Sequence, residues 1–111
     1  MEKRLGKIEN IKFGHGGYQD SQLGIGFTLT GNSWGVEDGR WEWDAYRIEC
    51  TEHCKWTEKN RSSNYDEIMR YISKLLNEAK VNNITELKGV PIEVTFDGNL
   101  LIKWRILTEV L

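Results

Sequence analysis

Val90-Pro91-Ile92-Glu93-Val94-Thr95-Phe96-Asp97-Gly98-Asn99-Leu100-Leu101-Ile102-Lys103-Trp104-Arg105-Ile106 reads as a β-hairpin. Val90, Ile92, Val94 and Phe96 alternate with Pro91, Glu93, Thr95 and Asp97, the period of two that sends successive side chains to opposite faces of a strand. Asp97-Gly98 supplies the turn, because both residue types tolerate the positive φ that tight hairpins require. A return strand is expected from Leu100 to Val110. Leu100, Ile102, Trp104, Ile106 and Val110 share the face expected to meet the core. Leu101, Lys103, Arg105, Leu107 and Glu109 share the other face, whose mixture of leucine and charge suits an oligomer contact or a ligand surface.

N-terminal to the hairpin the period changes. Ile68, Ile72, Leu75, Leu76 and Ala79 fall at i, i+4, i+7, i+8 and i+11, one apolar stripe on a helix of about four turns. Asn64 and Glu67 have capping-box spacing, which places the helix over about 64–80. Asn82-Asn83 ends it, and Asn83 with Glu86 caps a short helical turn carrying Ile84 and Leu87. Gly89 and Pro91 stop that turn.

The first half reads as strands. Ile8 to Phe13 forms one, ending at Gly14. In the next, Leu23, Ile25, Phe27 and Leu29 alternate with Gly24, Gly26, Thr28 and Thr30, so one face is bulky and the other nearly bare. Glycine inside a strand marks a bulge, a bend or the close approach of another group. Ser33–Val36 and Arg40–Trp43 read as two short strands around a turn at Glu37-Asp38-Gly39. Asp44 to Arg61 is polar and reads as a long loop, of the kind that is often functional or mobile. The expected fold is α+β: an antiparallel sheet of about five to six strands packed by one main helix, with a short helical turn and a C-terminal hairpin, in a single domain spanning 1–111.

Composition narrows the function classes. The 111 residues carry 15 Lys+Arg against 17 Asp+Glu, a formal net charge of -2, so a nonspecific nucleic-acid coat is disfavoured. A chain of this length removes roughly 65% of its unfolded surface from water, so a core without staples is feasible. No uncharged apolar run approaches the ~20 residues of a spanning helix, so no membrane partner is expected. Met1 to Lys12 alternates charges with single apolar residues and offers no secretory apolar core, so a cytoplasmic setting is expected. Nine of the eleven glycines lie in the first forty residues, and four of the five tryptophans lie between positions 34 and 56.

Few constellations can carry chemistry. Cys50 and Cys54, with His53 between them, form one pair at x₃ spacing, and a zinc site needs about four ligands. Reduced thiols and no metal are therefore expected. No Ser-His-Asp arrangement has a motif around it, and the acidic pairs Glu37/Asp38 and Asp66/Glu67 sit where turns and helix starts favour carboxylates. The chain is expected to bind rather than catalyse, without a cofactor. Gly14-His15-Gly16-Gly17-Tyr18-Gln19-Asp20 reads first as a hairpin loop and second as a backbone nest that lets an anion approach, with Tyr18 as a stacking platform. Trp34, Trp41, Trp43, Tyr46 and Trp56 interleave with Arg40 and Arg47. Such a set stacks on nucleobases and holds phosphates, or forms a protein-interface hot spot. The candidate ligand-binding residues are Gly16, Gly17, Tyr18, Trp34, Arg40, Trp41, Trp43 and Arg105.

The segments Phe13–Asp20, Gly24–Leu29, Ser33–Val36, Ala79–Val81, Glu86–Asn99 and Trp104–Leu111 resemble a family of small phage and prophage proteins without an assigned activity. The Gly-rich strands, single helix and Leu87-Lys88-Gly89-Val90-Pro91-Ile92-Glu93-Val94 hairpin entry are also similar, more loosely, to the phage anti-Thoeris sponge proteins. This resemblance implies a phage-encoded anti-defence protein in the host cytoplasm: a homo-oligomer that sequesters a small nucleotide ligand of the cyclic ADP-ribose or cyclic nucleotide type. The alternative is a protein–protein inhibitor, anti-CRISPR-like, whose Trp cluster binds a host defence protein.

Overall fold

A computed structural model describes residues 1–111. Five strands form one antiparallel sheet: β1 (Glu2–Gly16), β2 (Gln22–Gly31), β3 (Trp34–Trp43), β4 (Pro91–Asp97) and β5 (Leu100–Ile106). Their order across the sheet is β3-β2-β1-β4-β5. One helix, α1 (Glu58–Ala79), packs on one face, which makes the fold α+β. Single 3₁₀ turns follow β1, precede β4 and close the chain.

β1 organises the sheet by serving two neighbours in succession. Its first half, Glu2–Lys7, pairs with β4, and its second half, Gly6–Gly16, pairs with β2. A bulge at Glu9 lies within the second stretch, just past the end of the β4 pairing, since Ile8 faces Leu29 while Asn10 faces Thr28. Bulges bend a strand and increase its twist, and here the sheet curls until its two edge strands meet. Trp104 Nε1 on β5 donates to Asp38 Oδ2 on β3 at 2.7 Å. Ile8, Ile25, Phe27, Leu29, Ile92, Val94, Phe96 and Ile106 are buried inside the curl, with Ile68, Leu75 and Ala79 of α1 above them.

Several boundaries differ from those expected, each for a local reason. Glu37-Asp38-Gly39 is no turn, because β3 runs unbroken and pairs these residues with Thr28, Phe27 and Gly26. The turn lies at Asn32-Ser33 instead, where Ser33 has φ of 64°. α1 starts at Glu58 rather than Asn64: Thr57 accepts from the Asn60 N–H, and the Asn60 side chain accepts from the Thr57 N–H, a capping box of its own. It ends at Ala79, with Lys80 left-handed as the cap, before Asn82-Asn83. The loop is accordingly Asp44–Thr57. β5 stops at Ile106, and Thr108–Val110 turns as 3₁₀. The expected faces of β5 also change part-way. Lys103 pairs with Thr95 and Leu101 with Phe96, so Ile102 is an extra residue and a bulge. Leu101 therefore packs on the core with Trp104, while Leu100 and Ile102 are exposed. No helix is long and apolar enough to cross a membrane.

Candidate functional site

The uncovered face of the sheet is built from β1, β2 and β3. Register places Lys12, Gly14 and Gly16 of β1 on it beside Gly26, Gly24 and Gln22 of β2, which in turn face Gly39, Trp41 and Trp43 of β3. The bare strand face expected from the sequence is thus present, and Trp41 fills it. A Cβ placed on Gly16 would meet Trp41 Cη2 at 2.7 Å, one on Gly26 would meet Cζ2 at 2.9 Å, and one on Gly39 would meet Nε1 at 2.5 Å. An indole touching glycines on three successive strands lies flat on the backbone, so one π-face is covered and the other is turned outward. Trp41 is half-buried, and its Nε1–H has no partner in the protein.

The surroundings of Trp41 are polar. Asn10, Lys12, Gly26, Phe27, Thr28, Glu37 and Asp38 join it around a shallow depression of ≈ 220 Å³. Lys12 Nζ lies 3.3 Å from the same Gly16 Cβ position that the indole edge approaches, which sets the ammonium at the rim of the ring. Trp43 lies on the same face, and Tyr18 meets it edge-on with ring centroids 6.4 Å apart. Tyr18 is largely exposed.

Gly16, Gly17, Tyr18, Trp41 and Trp43 therefore come together; Trp34, Arg40 and Arg105 do not join them. Trp34 is on the helix-facing side, in the space that side chains at Gly6 and Gly31 would fill, with its ring edge-on to Phe96 at 5.5 Å. Arg40 is on that same side, its guanidinium 4.0 Å from the Tyr71 ring centroid. Burial raises the Tyr71 phenol above its ordinary pKa, and Arg40 pulls the other way. Arg105 lies on β5, held by both oxygens of Glu109 at 2.9 and 3.0 Å and by Glu93 at 3.2 Å. Glu109 first and Glu93 second hold its guanidinium still more firmly protonated, and its charge is already matched.

The glycine segment does not form a free nest. Gly14 and Gly16 are strand residues paired with Gly24 and Gln22. The turn is confined to Gly17–Ser21, where the Tyr18 N–H donates to Gln22 Oε1 at 3.1 Å and Ser21 Oγ donates to the Tyr18 carbonyl at 2.5 Å.

The loop that follows β3 is tied down by residues with no sequence signal of their own. Arg61 is only 4% exposed. Its Nη1 donates to the Ile48 carbonyl at 2.8 Å, its guanidinium pairs with Glu58 and its Cζ stands 4.7 Å from the Trp56 ring centroid. Tyr65 donates its hydroxyl to the Trp43 carbonyl at 2.6 Å and accepts from the Ala45 N–H at 3.2 Å. Asn64 donates to Glu42 Oε2 at 2.9 Å. Buried Asp44 faces His15 Nε2 at 3.5 Å. These contacts hold the end of β3, and hence Trp41 and Trp43, against α1. A polar helix turn that buries its arginine was the only hint, and it looks like solvated sequence. No three His, Cys, Asp or Glu side chains converge as a metal site would require.

No known protein family, curated protein or solved structure matches this chain.

Proposed function

We propose that this chain is a non-catalytic binding protein that holds a nucleotide on the open face of its sheet, with the base stacked on Trp41. The observation that carries this reading is the indole laid flat on glycines of three strands with its outer π-face free. Such a platform is rigid before binding, so little ordering entropy opposes stacking. Asn10 and Thr28 offer donors and acceptors to a polar base edge, and Lys12 offers a charge to a phosphate. Glu37 and Asp38 line the same depression. One ammonium beside the Glu37 carboxylate, with the Asp38 carboxylate already engaged by Trp104, leaves little positive field, which favours a compact phosphodiester over a polyphosphate chain. In the form implied by the phage-protein resemblance, the ligand is a cyclic nucleotide-type immune signal that a phage-encoded chain sequesters in the host cytoplasm.

Thermal-shift and tryptophan-fluorescence titrations against cyclic mono- and dinucleotides and cyclic ADP-ribose test it. A ligand that binds the folded chain raises its Tm. Trp41→Ala is expected to weaken binding by about 5–150-fold, the stacking contribution of about 1–3 kcal/mol per base. Arg105→Ala is expected to leave binding unchanged. The reading fails if no nucleotide shifts the Tm and heat-denatured protein from infected, defence-positive cells releases none.

A second reading draws on a separate observation. Tyr46 is 99% exposed and Tyr18 65%, so aromatic surface extends past the depression. Exposed Tyr and Trp on a polar rim suit a protein-interface hot spot. A stoichiometric host protein captured by the wild-type chain and lost with Trp43→Ala would favour a protein–protein inhibitor.

A further inference from the structure

We propose that a second copy of this chain adds across the unpaired edge of β1, joining the two sheets antiparallel through Phe13. β4 leaves β1 at Lys7, and β2 occupies only the other side, so Glu9–Gly16 faces no strand along one whole edge. In an antiparallel ladder alternate residues point N–H and C=O away from each neighbour, so about half of these residues present backbone groups there with no strand to take them.

The three open edges of the sheet are not alike. β3 carries Glu37, Asp38, Arg40 and Glu42, and β5 carries Lys103 and Arg105, charges that discourage strand addition. The Glu9–Gly16 edge of β1 carries Glu9 and Lys12 and no proline, and from Phe13 to Gly16 it carries no Lys, Arg, Asp or Glu. It also borders apolar surface. Phe13 is 55% exposed and Met69 61%, and together with Leu23, Tyr65 and Ile68 they line a groove between β1 and α1.

Area favours a copy of the chain as the occupant. A monomer of 12.9 kDa exposes about 6,300 Å² by the general scaling of surface with mass. This chain exposes 7530 Å², about 1,200 Å² more. A standard interface covers about 800 Å² per partner, which that surplus accommodates. A two-fold axis perpendicular to the sheet keeps both helices on one side and makes the contact self-complementary.

Register narrows the axis position. Keeping the inner faces aligned requires residues of like parity to face each other. An axis at Lys12 would oppose two ammonium groups. An axis at Phe13 sets the two exposed rings together, Lys12 opposite Gly14 and Ile11 opposite His15.

Sedimentation equilibrium and light scattering of the full chain over a broad concentration range test the proposal. The wild type is expected at twice 12.9 kDa. Phe13→Lys is expected at the monomer mass with unchanged far-UV circular dichroism. As an arm that keeps the wild-type strand, Phe13→Cys with Cys50→Ser and Cys54→Ser should cross-link to a dimer on mild oxidation, and Lys88→Cys in the same background should not. A monomer at every concentration, a dimer that survives Phe13→Lys, or cross-linking by Lys88→Cys in place of Phe13→Cys overturns it. None of these readouts depends on a nucleotide.

Discussion

At the scale of single residues, the thiols of the Asp44–Thr57 loop separate by environment. Cys54 Sγ accepts from the Thr51 N–H at 3.1 Å, and Cys50 Sγ donates to the Trp56 carbonyl at 3.3 Å. The hydrogen bond with Cys54 chiefly, and then burial, push the Cys50 thiol up to about 11. A raised thiol pKa favours the neutral form, so the folded loop resists forming the Cys50 thiolate until the pH approaches that value. The thiolate is the reactive species, and an unperturbed thiol titrates near ~8.5. At pH 8 Cys50 should therefore hold roughly two-hundredfold less thiolate than a free cysteine, and its alkylation rate should climb about tenfold per pH unit up to about pH 11. Iodoacetamide labelling read by mass spectrometry in a Cys54→Ser chain would remove the largest cause and bring the Cys50 rate back toward that of a free thiol. Equal, fast labelling in both chains at pH 8 would contradict the geometry. Sequence spacing alone placed the two thiols near one another but carried no information on which carbonyl each would meet.

At the scale of elements, glycine spacing inside β2 and β3 separates structural from dispensable positions. A side chain at Gly24 would run into the Arg40 carbonyl, backbone that moves only by breaking the β2–β3 ladder. At Gly35 the nearest atom is Thr30 Cγ2 at 3.6 Å, an ordinary contact. Gly24→Ala should therefore cost about 1–3 kcal/mol or more, the range for overpacking. Gly35→Ala should be neutral or stabilise by about 0.4–1 kcal/mol, because it restricts the unfolded chain without straining the fold. Urea unfolding of the two variants decides between this ordering and equal effects. The same elements mark what the sequence made legible. The hairpin, the 3₁₀ turn at Ile84–Leu87 and the apolar stripe of α1 follow directly from local periodicity and capping. The bare face of β2 was equally visible, but its filler was not. Trp41 settles there because β3 continues through Glu37-Asp38-Gly39, and that continuity rests on pairing with β2 rather than on local preference. The bulge at Ile102 escaped for a similar reason: an inserted residue keeps an alternating pattern locally while swapping which half of it faces the core. Arg40 and Arg105 looked like free cations, yet Tyr71 pairs with one from thirty-one residues away and Glu93 reaches the other across the hairpin; only Glu109, four residues on, is a local partner of Arg105.

At the scale of the whole molecule, the path of β1 makes the two halves of the chain one cooperative unit. Glu2–Lys7 pairs with a strand some ninety residues later, and Gly6–Gly16 pairs with the strand that follows immediately. Nine of the 13 buried core residues, from Ile68 to Ile106, come from the C-terminal side of the Asp44–Thr57 loop. A fragment ending at Glu52 therefore retains β1–β3 but leaves Ile8, Ile25, Phe27 and Leu29 facing water. Three strands are about the minimum for independent stability, and here their apolar face has lost α1 and the β4–β5 hairpin, which supply most of the core it packs against. The fragment from His53 onward keeps α1 and the β4–β5 hairpin but lacks the strand that separates β4 from β2. Each fragment alone should unfold without a cooperative transition. Mixing them should restore native far-UV circular dichroism and a single melting transition, because Arg61 and Tyr65 on one fragment grip the Ile48 and Trp43 carbonyls on the other. The cut falls between exposed residues, so the rejoined molecule loses little beyond the Thr51–Cys54 turn and the entropy of association. If the fragment ending at Glu52 melts cooperatively by itself, β1–β3 is an autonomous sheet and the curl closed by Trp104 and Asp38 is not what holds it together. If neither mixing nor high concentration restores the fold, the loop connection itself is required. The expected complementation follows from the strand order, in which β1 is the one element that both halves of the sheet share.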